Sequence, residues 1–367
     1  MSRTIVVAPD SFKGTITASD AAAAVAAGWR DARPDDDIRL LPMADGGEGT
    51  LEAFATAVPG AERVPVRVIG PDDREVDTFW LRLPPTPDAP DGTAIVELGA
   101  TSGIELLSEL RPLAAHTYGL GQAIAAALAA GVSRVVVGLG SSASTDGGTG
   151  MLRALGAQVR DDLGADVPLG GAGLSAAASV SALPPLPAGG VRALTDVTNP
   201  LLGRRGAAAV FGPQKGATPD DVAALDGALA HLATLLPDAD PATPGAGAAG
   251  GTGFGLLAWG AILEPGSVAV AELIGLPAAA VAASVVITGE GSFDGQSAAG
   301  KVPAYVAEAA GPTPVALVAG RIAADADTSA FAASLSLTDL AGSPEAAMAD
   351  PATWLWEAGR RFARELG

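Results

Sequence analysis

TIVVAPDSFKGTITASDAAAAVAAGWRDAR, residues 4–33, reads as strand, polar loop and helix in succession. The β-branched run Ile5–Ala8 stops at a proline. Asp10, Ser11 and Lys13 follow in a glycine-bearing loop. The alanine-rich stretch Ala18–Arg33 is then a helix, started by Thr17 or Ser19 as cap with Asp20 in its first turn. Outward from this unit the same alternation recurs. Strands are expected at Ile38–Leu41, Val64–Val68, Asp77–Leu83, Ala94–Leu98, Val135–Gly138, Arg192–Leu194, Val285–Thr288, Val315–Val318 and Ser334–Leu337. Helices are expected at Leu120–Ala130 and Pro219–Leu236, among others. This is the α/β signature of mostly parallel sheets. Val64–Val68 and Asp77–Leu83 are joined through GPDD as a hairpin, which makes the middle sheet mixed.

The length of 367 residues exceeds what one core usually serves. The expected fold class is therefore α/β with two domains. Residues 1–60 plus 260–367 form a doubly wound, parallel-sheet (Rossmann-like) domain, and residues 61–259 an inserted mixed-sheet α/β domain. A cleft between them is the natural place for an active site.

Hydrophobic residues make up 49% and charged residues 17%, ample for packed cores. The absence of cysteine excludes disulfides and thiolate metal sites, and the two histidines, His116 and His231, sit in Ala/Leu-rich surroundings that suit structural roles. A zinc site and a Ser–His–Asp triad are not expected. The net charge of −19 argues against nucleic acid and anionic membrane as partners. No secretory leader or membrane span is read, so a soluble, cytoplasmic protein is expected, and a homodimer is compatible with the sequence.

Such an acidic chain can attract an anion only through local positive points. Its three lysines, Lys13, Lys215 and Lys301, each fall in a short glycine-bearing polar stretch. Five such stretches carry the chemical signal. APDSFKGT (8–15) follows a strand end, where ligands of open α/β sheets bind. PMADGGEGTLEAF (42–54) and GLGSSASTDGGTGMLRALG (138–156) share Asp-Gly-Gly-x-Gly before a helix. The glycines Gly46, Gly47, Gly147 and Gly148 let N–H groups approach a phosphate, and Asp45 and Asp146 read as Mg²⁺ ligands or acceptors for a substrate hydroxyl. TDVTNPLLGRRGAAAVFGPQKGAT (195–218) holds Asp196, Asn199 and the densest positive cluster, Arg204, Arg205 and Lys215. VVITGEGSFDGQSAAGKVP (285–303) leads through Gly289, Glu290 and Gly291 to Asp294, Gln296 and Lys301. Its G-x-x-x-x-G-K core is not a P-loop, because Val302 replaces the Mg²⁺-binding Ser/Thr. VVVGLGSSA (135–143) fits G-x-G-x-x-A after a strand and keeps a nicotinamide-dependent oxidoreductase as the alternative.

Together, APDSFKG, ADGGEGT, GSSASTDGGTG, DVTNPLLGRRGAAAVFGPQKGAT and ITGEG followed by Asp294, Gln296 and Gly300–Lys301 resemble the glycerate kinase type 1 family. This family comprises the glyoxylate- and glucarate-pathway glycerate kinases. The resemblance implies two α/β domains and ATP-dependent phosphorylation of D-glycerate, mostly to 2-phosphoglycerate, with 3-phosphoglycerate as the alternative product. Two departures stand out: Ser142 replaces a Gly-Gly-Ser-Ala arrangement, and Ser292–Phe293 replaces Arg-Ile. If that arginine touches a ligand elsewhere in the family, another cation replaces it here.

Phosphoryl transfer asks for positioning and charge neutralisation. The attacking hydroxyl needs a carboxylate, Asp196 first and Asp45 second. The glycerate carboxylate needs a clamp, from Arg204, Arg205 and Lys215 or from the Ser141–Ser142 N–H groups, with Asp10, Ser11 and Asn199 as further substrate contacts. The γ-phosphate needs Lys13 or Lys301, and Mg²⁺ needs Asp45, Glu48 or Glu290.

Overall fold

The computed structural model describes residues 2–12, 14–294 and 302–367. Lys13, Gln296 and Lys301 lie outside them. The strands of the described residues are β1 (Thr4–Pro9), β2 (Asp37–Leu40), β3 (Glu62–Ile69), β4 (Glu75–Leu83), β5 (Thr93–Glu97), β6 (Arg134–Gly138), β7 (Val159–Arg160), β8 (Ser179–Val180), β9 (Val191–Leu194), β10 (Ile262–Glu264), β11 (Val285–Phe293), β12 (Val315–Ile322) and β13 (Ala333–Ser336). The chain divides into two compact units. One holds Met1–Asp45, Glu52–Pro59 and Ser267–Gly367; the other holds Gly46–Leu51 and Gly60–Gly266.

The first unit is built on a five-stranded sheet in the order β13-β12-β11-β1-β2, parallel throughout. From β1 the chain winds outward to β2, and from β11 it winds the other way through β12 to β13. The direction therefore reverses between β1 and β11, and in open α/β sheets ligands bind at the carboxyl ends of strands flanking such a reversal. Thr17 caps the helix Ala18–Ala32, its Oγ1 accepting from the Asp20 N–H at 3.1 Å. That helix buries Ala22, Val25 and Trp29 against Ile5, Ile287, Leu355 and Phe362. It crosses the helix Pro351–Glu365 at backbone contact: a Cβ on Gly28 would overlap the Trp356 carbonyl, and one on Gly359 the Val25 carbonyl.

The second unit has a six-stranded mixed sheet in the order β10-β9-β6-β5-β4-β3. β3, β4 and β5 form an antiparallel meander, while β5, β6, β9 and β10 run parallel. The expected hairpin is present. Gly70 donates to Arg74 O at 2.7 Å, and Asp73 takes the left-handed φ of +69° that the tight turn requires. Val96, Leu120, Ile124, Val137 and Phe254 share the core. Thr218 and Asp221 make a reciprocal capping box at the start of the helix Pro219–Leu235. The parallel strands all end on one edge, which delivers Glu97, Leu139–Ser142 and Thr195–Asp196 together.

Local readings change, Leu337 among them: it opens the helix Leu337–Ala341 rather than ending a strand. Leu98 is not strand but the first residue of the helix Leu98–Ser102. Gly289, Glu290 and Gly291 are not a loop after a strand. β11 continues to Phe293, paired with β12 through Ser292↔Arg321 and Phe293↔Ile322. The short strands β7, β8 and β10 carry no run of β-branched residues long enough to announce them.

Candidate functional site

On the parallel-sheet unit, the strands β2, β1 and β11 lie side by side and present carboxylates at their carboxyl ends. The chain after β2 stays paired with β1 as far as Met43, whose N–H donates to Pro9 O at 2.8 Å; Asp45 comes two residues later. Asp10 follows β1 and donates its N–H to Gly289 O at 2.8 Å. Its Oδ1 accepts the Ser11 N–H at 2.7 Å, so Asp10 and Ser11 form one fixed turn. Glu290 is buried in β11, and Asp294 follows its end. Glu48, the third expected metal ligand, is exposed and belongs to the other unit. Among the described residues no three His, Cys, Asp or Glu side chains gather into a group that could hold a metal ion. Asp45, Glu48 and Glu290 therefore form no such cage. A nucleotide-borne Mg²⁺ needs only one or two carboxylates beside the phosphates, and this carboxylate edge fits that demand.

On the mixed-sheet unit, the glycines of ADGGEG and GLG meet one another. A Cβ on Gly46 would lie 2.5 Å from Leu194 O, one on Gly138 2.7 Å from Gly46 O, and one on Gly140 would overlap Gly47 Cα. The Gly46–Gly47 segment is pressed against the ends of β6 and β9, and glycine is what permits the approach. Thr50 Oγ1 closes this turn on Gly47 O at 2.7 Å. Glu97, 5% exposed at the end of β5, accepts the Leu51 N–H at 3.0 Å through Oε2. It thereby anchors the start of the helix Thr50–Ala57, where a carboxylate also complements the helix dipole. Sequence reasoning misses Glu97, because a lone glutamate ending an apolar strand gives no motif.

TDGGTG proves to be an anion site that the protein fills itself. Asp146 is fully buried. Its Oδ2 accepts from Thr117 N (2.9 Å), Thr117 Oγ1 (2.8 Å) and Gly150 N (3.1 Å), and its Oδ1 from Gly148 N (3.2 Å). Gly147 N donates to Gly250 O at 3.1 Å. The N–H groups of Gly147 and Gly148, expected at a phosphate, are thus spent inside the fold, and Asp146 is out of reach of a metal or substrate.

The turn just before it differs. Ser141 is exposed and takes a left-handed φ of +55°, which a non-glycine residue adopts only where its surroundings hold it. Ser141 O accepts from Ile104 N (2.8 Å), and Ala143 N donates to Ser102 O (3.1 Å). Among the described residues, however, the N–H groups of Gly140, Ser141 and Ser142 meet no acceptor. Lys215 closes the turn from within the fold. It is 2% exposed, and its Nζ donates to Ser142 Oγ at 2.7 Å and Ser144 O at 2.5 Å. Burial pushes its ammonium down to about 7, against the pull of the Asp146 charge. Ser144 Oγ and Thr145 Oγ1, buried in the same segment, find no hydrogen-bond partner among the described residues.

The remaining expected residues of this unit lie on the 195–206 loop. Asp196 is exposed, and its Oδ1 accepts the Gly266 N–H at 2.8 Å. Asn199 is spent on the loop itself, Nδ2 donating to Arg205 O at 2.8 Å. Arg204 and Arg205 are exposed, and among the described residues neither guanidinium meets a carboxylate. Lys215 does not join them as a surface cluster, since it is buried. The dinucleotide reading of GLGSSA fails on geometry. Residues 139–148 separate β6 from the helix Thr149–Ala154, whereas a dinucleotide turn runs straight from strand into helix. His116 and His231 are structural: His116 Nε2 lies 3.2 Å from Asp73 Oδ1, and His231 Nε2 2.6 Å from Ala177 O.

The model of the glycerate kinase family matches residues 5–367. The chain belongs to the glycerate kinase family. It is 41% identical to the glycerate 2-kinase of Escherichia coli over 334 residues, covering 88% of this chain and 86% of that one. It is also 41% identical to the glycerate kinase of Bacillus subtilis over 337 residues, with coverage of 88% and 86%. A crystal structure from Salmonella typhimurium LT2 described as glycerate kinase 2 superposes with a TM-score of 0.85 at 39% identity, covering all of this chain and 98% of that one. A kinase of this family takes its phosphoryl group from ATP. No helix of the described residues is long and apolar enough to cross a membrane.

Proposed function

We propose that the protein transfers the γ-phosphoryl group of ATP to the 2-hydroxyl of D-glycerate, giving 2-phosphoglycerate and ADP, in the cytoplasm. The observation that carries the acid half of this reading is the Gly140–Ser142 turn. It offers consecutive backbone N–H groups that meet no acceptor among the described residues, a left-handed residue at its centre and a buried ammonium bonded to Ser142. Such a nest takes a carboxylate without needing a flexible side chain. In a chain of net charge −19 it is a fixed positive point. Among the clamps the sequence offers, this one is preorganised. Arg204 and Arg205, two exposed long cationic side chains, suit attraction of the anion from solution. The 2-position is favoured by the E. coli relative, a glycerate 2-kinase.

Asp196 is the base in this reading. The substrate oxygen attacks the γ-phosphorus, the bond from that phosphorus to the β-bridging oxygen breaks, ADP leaves, and the hydroxyl proton passes to the Asp196 carboxylate. The Gly266 N–H fixes the carboxylate rotamer. The nucleotide belongs to the parallel-sheet unit, at the reversal between β1 and β11. Asp10, Asp45, Glu290 and Asp294 line that end, and Asp45 or Glu290 would hold the Mg²⁺ that neutralises phosphate charge. Lys13 and Lys301 remain the proposed γ-phosphate cations. If the family's arginine at the 292 position touches a ligand, Arg321, the register partner of Ser292, is the cation placed to stand in for it.

Replacement of Asp196 by Asn tests the base. We expect kcat for D-glycerate to fall at least ~10²-fold while ATP binding is retained. Unaltered kcat would move the base elsewhere.

A further inference from the structure

Lys215 is the strangest charge in the molecule, because an ammonium has been placed where water cannot reach it. Its Nζ has three protons. Two go to Ser142 Oγ and Ser144 O, and among the described residues the third has no acceptor. Among the described residues Asp146 is the charged group that acts on it, and that carboxylate already accepts four hydrogen bonds. Among the described residues the other elements around Lys215 offer no countercharge. The helix Ala207–Phe211 has no titratable residue. Glu109 and Arg111, flanking the Leu110 that packs on Gly216, are exposed. Asp220 is exposed, and Asp221 is held by Thr218.

Ser142 joins this amine to the turn: its Oγ accepts from Nζ, and its N–H belongs to the 140–142 set that meets no acceptor among the described residues. An anion seated on those N–H groups therefore lies one residue from the amine. Resting on the carboxylate reading of the turn, we propose that Lys215 acts through Ser142 on the acid subsite rather than on a phosphate, and that it takes up a proton when the substrate carboxylate binds. The negative charge on the turn stabilises the ammonium form, and the ammonium form holds the turn and its anion more tightly. By linkage these two effects are equal. The free protein is poised for this, with the amine pushed to about 7. Lys215 is thus a positioning residue whose charge is completed by the substrate.

Calorimetry of D-glycerate binding to the full chain, in buffers of differing ionisation enthalpy, reads the proton directly. D-Glycerate is ionised throughout the range used, so the proton must go to the protein. At pH 8 we expect uptake of about half a proton or more, and at pH 6, where the amine is already charged, about none. Lys215→Arg, permanently charged, should bind with that uptake at pH 8 abolished. Ser142→Ala keeps the lysine but breaks the bridge. It should reduce the uptake and raise KM for D-glycerate about tenfold while leaving KM for ATP unchanged. Wild-type binding at pH 8 without proton uptake, or undiminished uptake in both variants, would overturn the inference. Absence of D-glycerate binding would instead overturn the functional reading, and this inference with it.

Discussion

Lys215, Asp146 and Ser142 show how one buried charge organises a loop that sequence describes only as polar. The lysine in FGPQKGAT is legible as special, because lysine is scarce in this chain. Its burial is not, since nothing in the local pattern says that residues 139–146 fold over it. Asp146 misleads for the same reason. Asp-Gly-Gly before a helix signals an anion at the helix start, and the sequence cannot say that the anion is the aspartate itself. The buried amine has a consequence for stability. Its folded value is near 7 against 10.5 for the ordinary group. Below pH 7 both folded and unfolded chains carry the proton, and the folded state bears the full cost of the buried charge. Between about pH 7 and 10 only the unfolded chain holds it, so stability rises with pH. Lys215→Met removes this contribution. Between pH 6.5 and 9 the Tm of the wild type should therefore gain a few degrees on that of the variant, from about 2–3 kcal/mol of linkage. A gap that does not change with pH would show that the amine is not held near 7.

The elements were the easier part to read. Strand and helix follow from β-branched runs and alanine-rich stretches, and the hairpin from GPDD. Errors fall where tertiary contact decides. Gly289–Gly291 looks like a loop, yet it continues β11 because β12 pairs with it. Leu98 extends an apolar run, yet it turns into a helix. The paired glycines of ADGGEG read as a phosphate cradle, but their small size first serves the packing of Gly46–Gly47 on β6 and β9. Two substitutions separate packing at the site from packing elsewhere. Gly28→Ala and Gly140→Ala each push a methyl into backbone, and each should cost about 1–3 kcal/mol of stability. Gly28→Ala disturbs a helix crossing whose neighbours are Trp356 and Arg360, so kcat should remain near wild type. Gly140→Ala displaces both the Gly46–Gly47 segment and the 140–142 turn, and kcat should fall about 10²-fold. Equal kcat in the two variants would argue that the turn has no part in the reaction.

At the scale of the whole molecule, the order of the five motifs is more informative than any one of them. Each alone admits a bland turn, but their succession along the chain matches one family. That family is what the comparison over residues 5–367 shows. The two sheets were foreseeable in kind, because the outer segments alternate strand and helix while the middle contains a hairpin. Their internal order was not, since strand neighbours such as β1 and β11 are brought together by 275 and more intervening residues that carry no pairing signal. The proposed acid subsite and base, taken with the 2-position that the E. coli relative favours, converge on a single proposed product. Incubation with ATP, Mg²⁺ and D-glycerate, followed by ADP quantitation and phosphorus NMR, tests that convergence most directly. The account predicts stoichiometric ADP and a phosphate ester on the carbon next to the carboxylate, 2-phosphoglycerate. Ester formation at the terminal carbon, or no glycerate-dependent ADP, would contradict it.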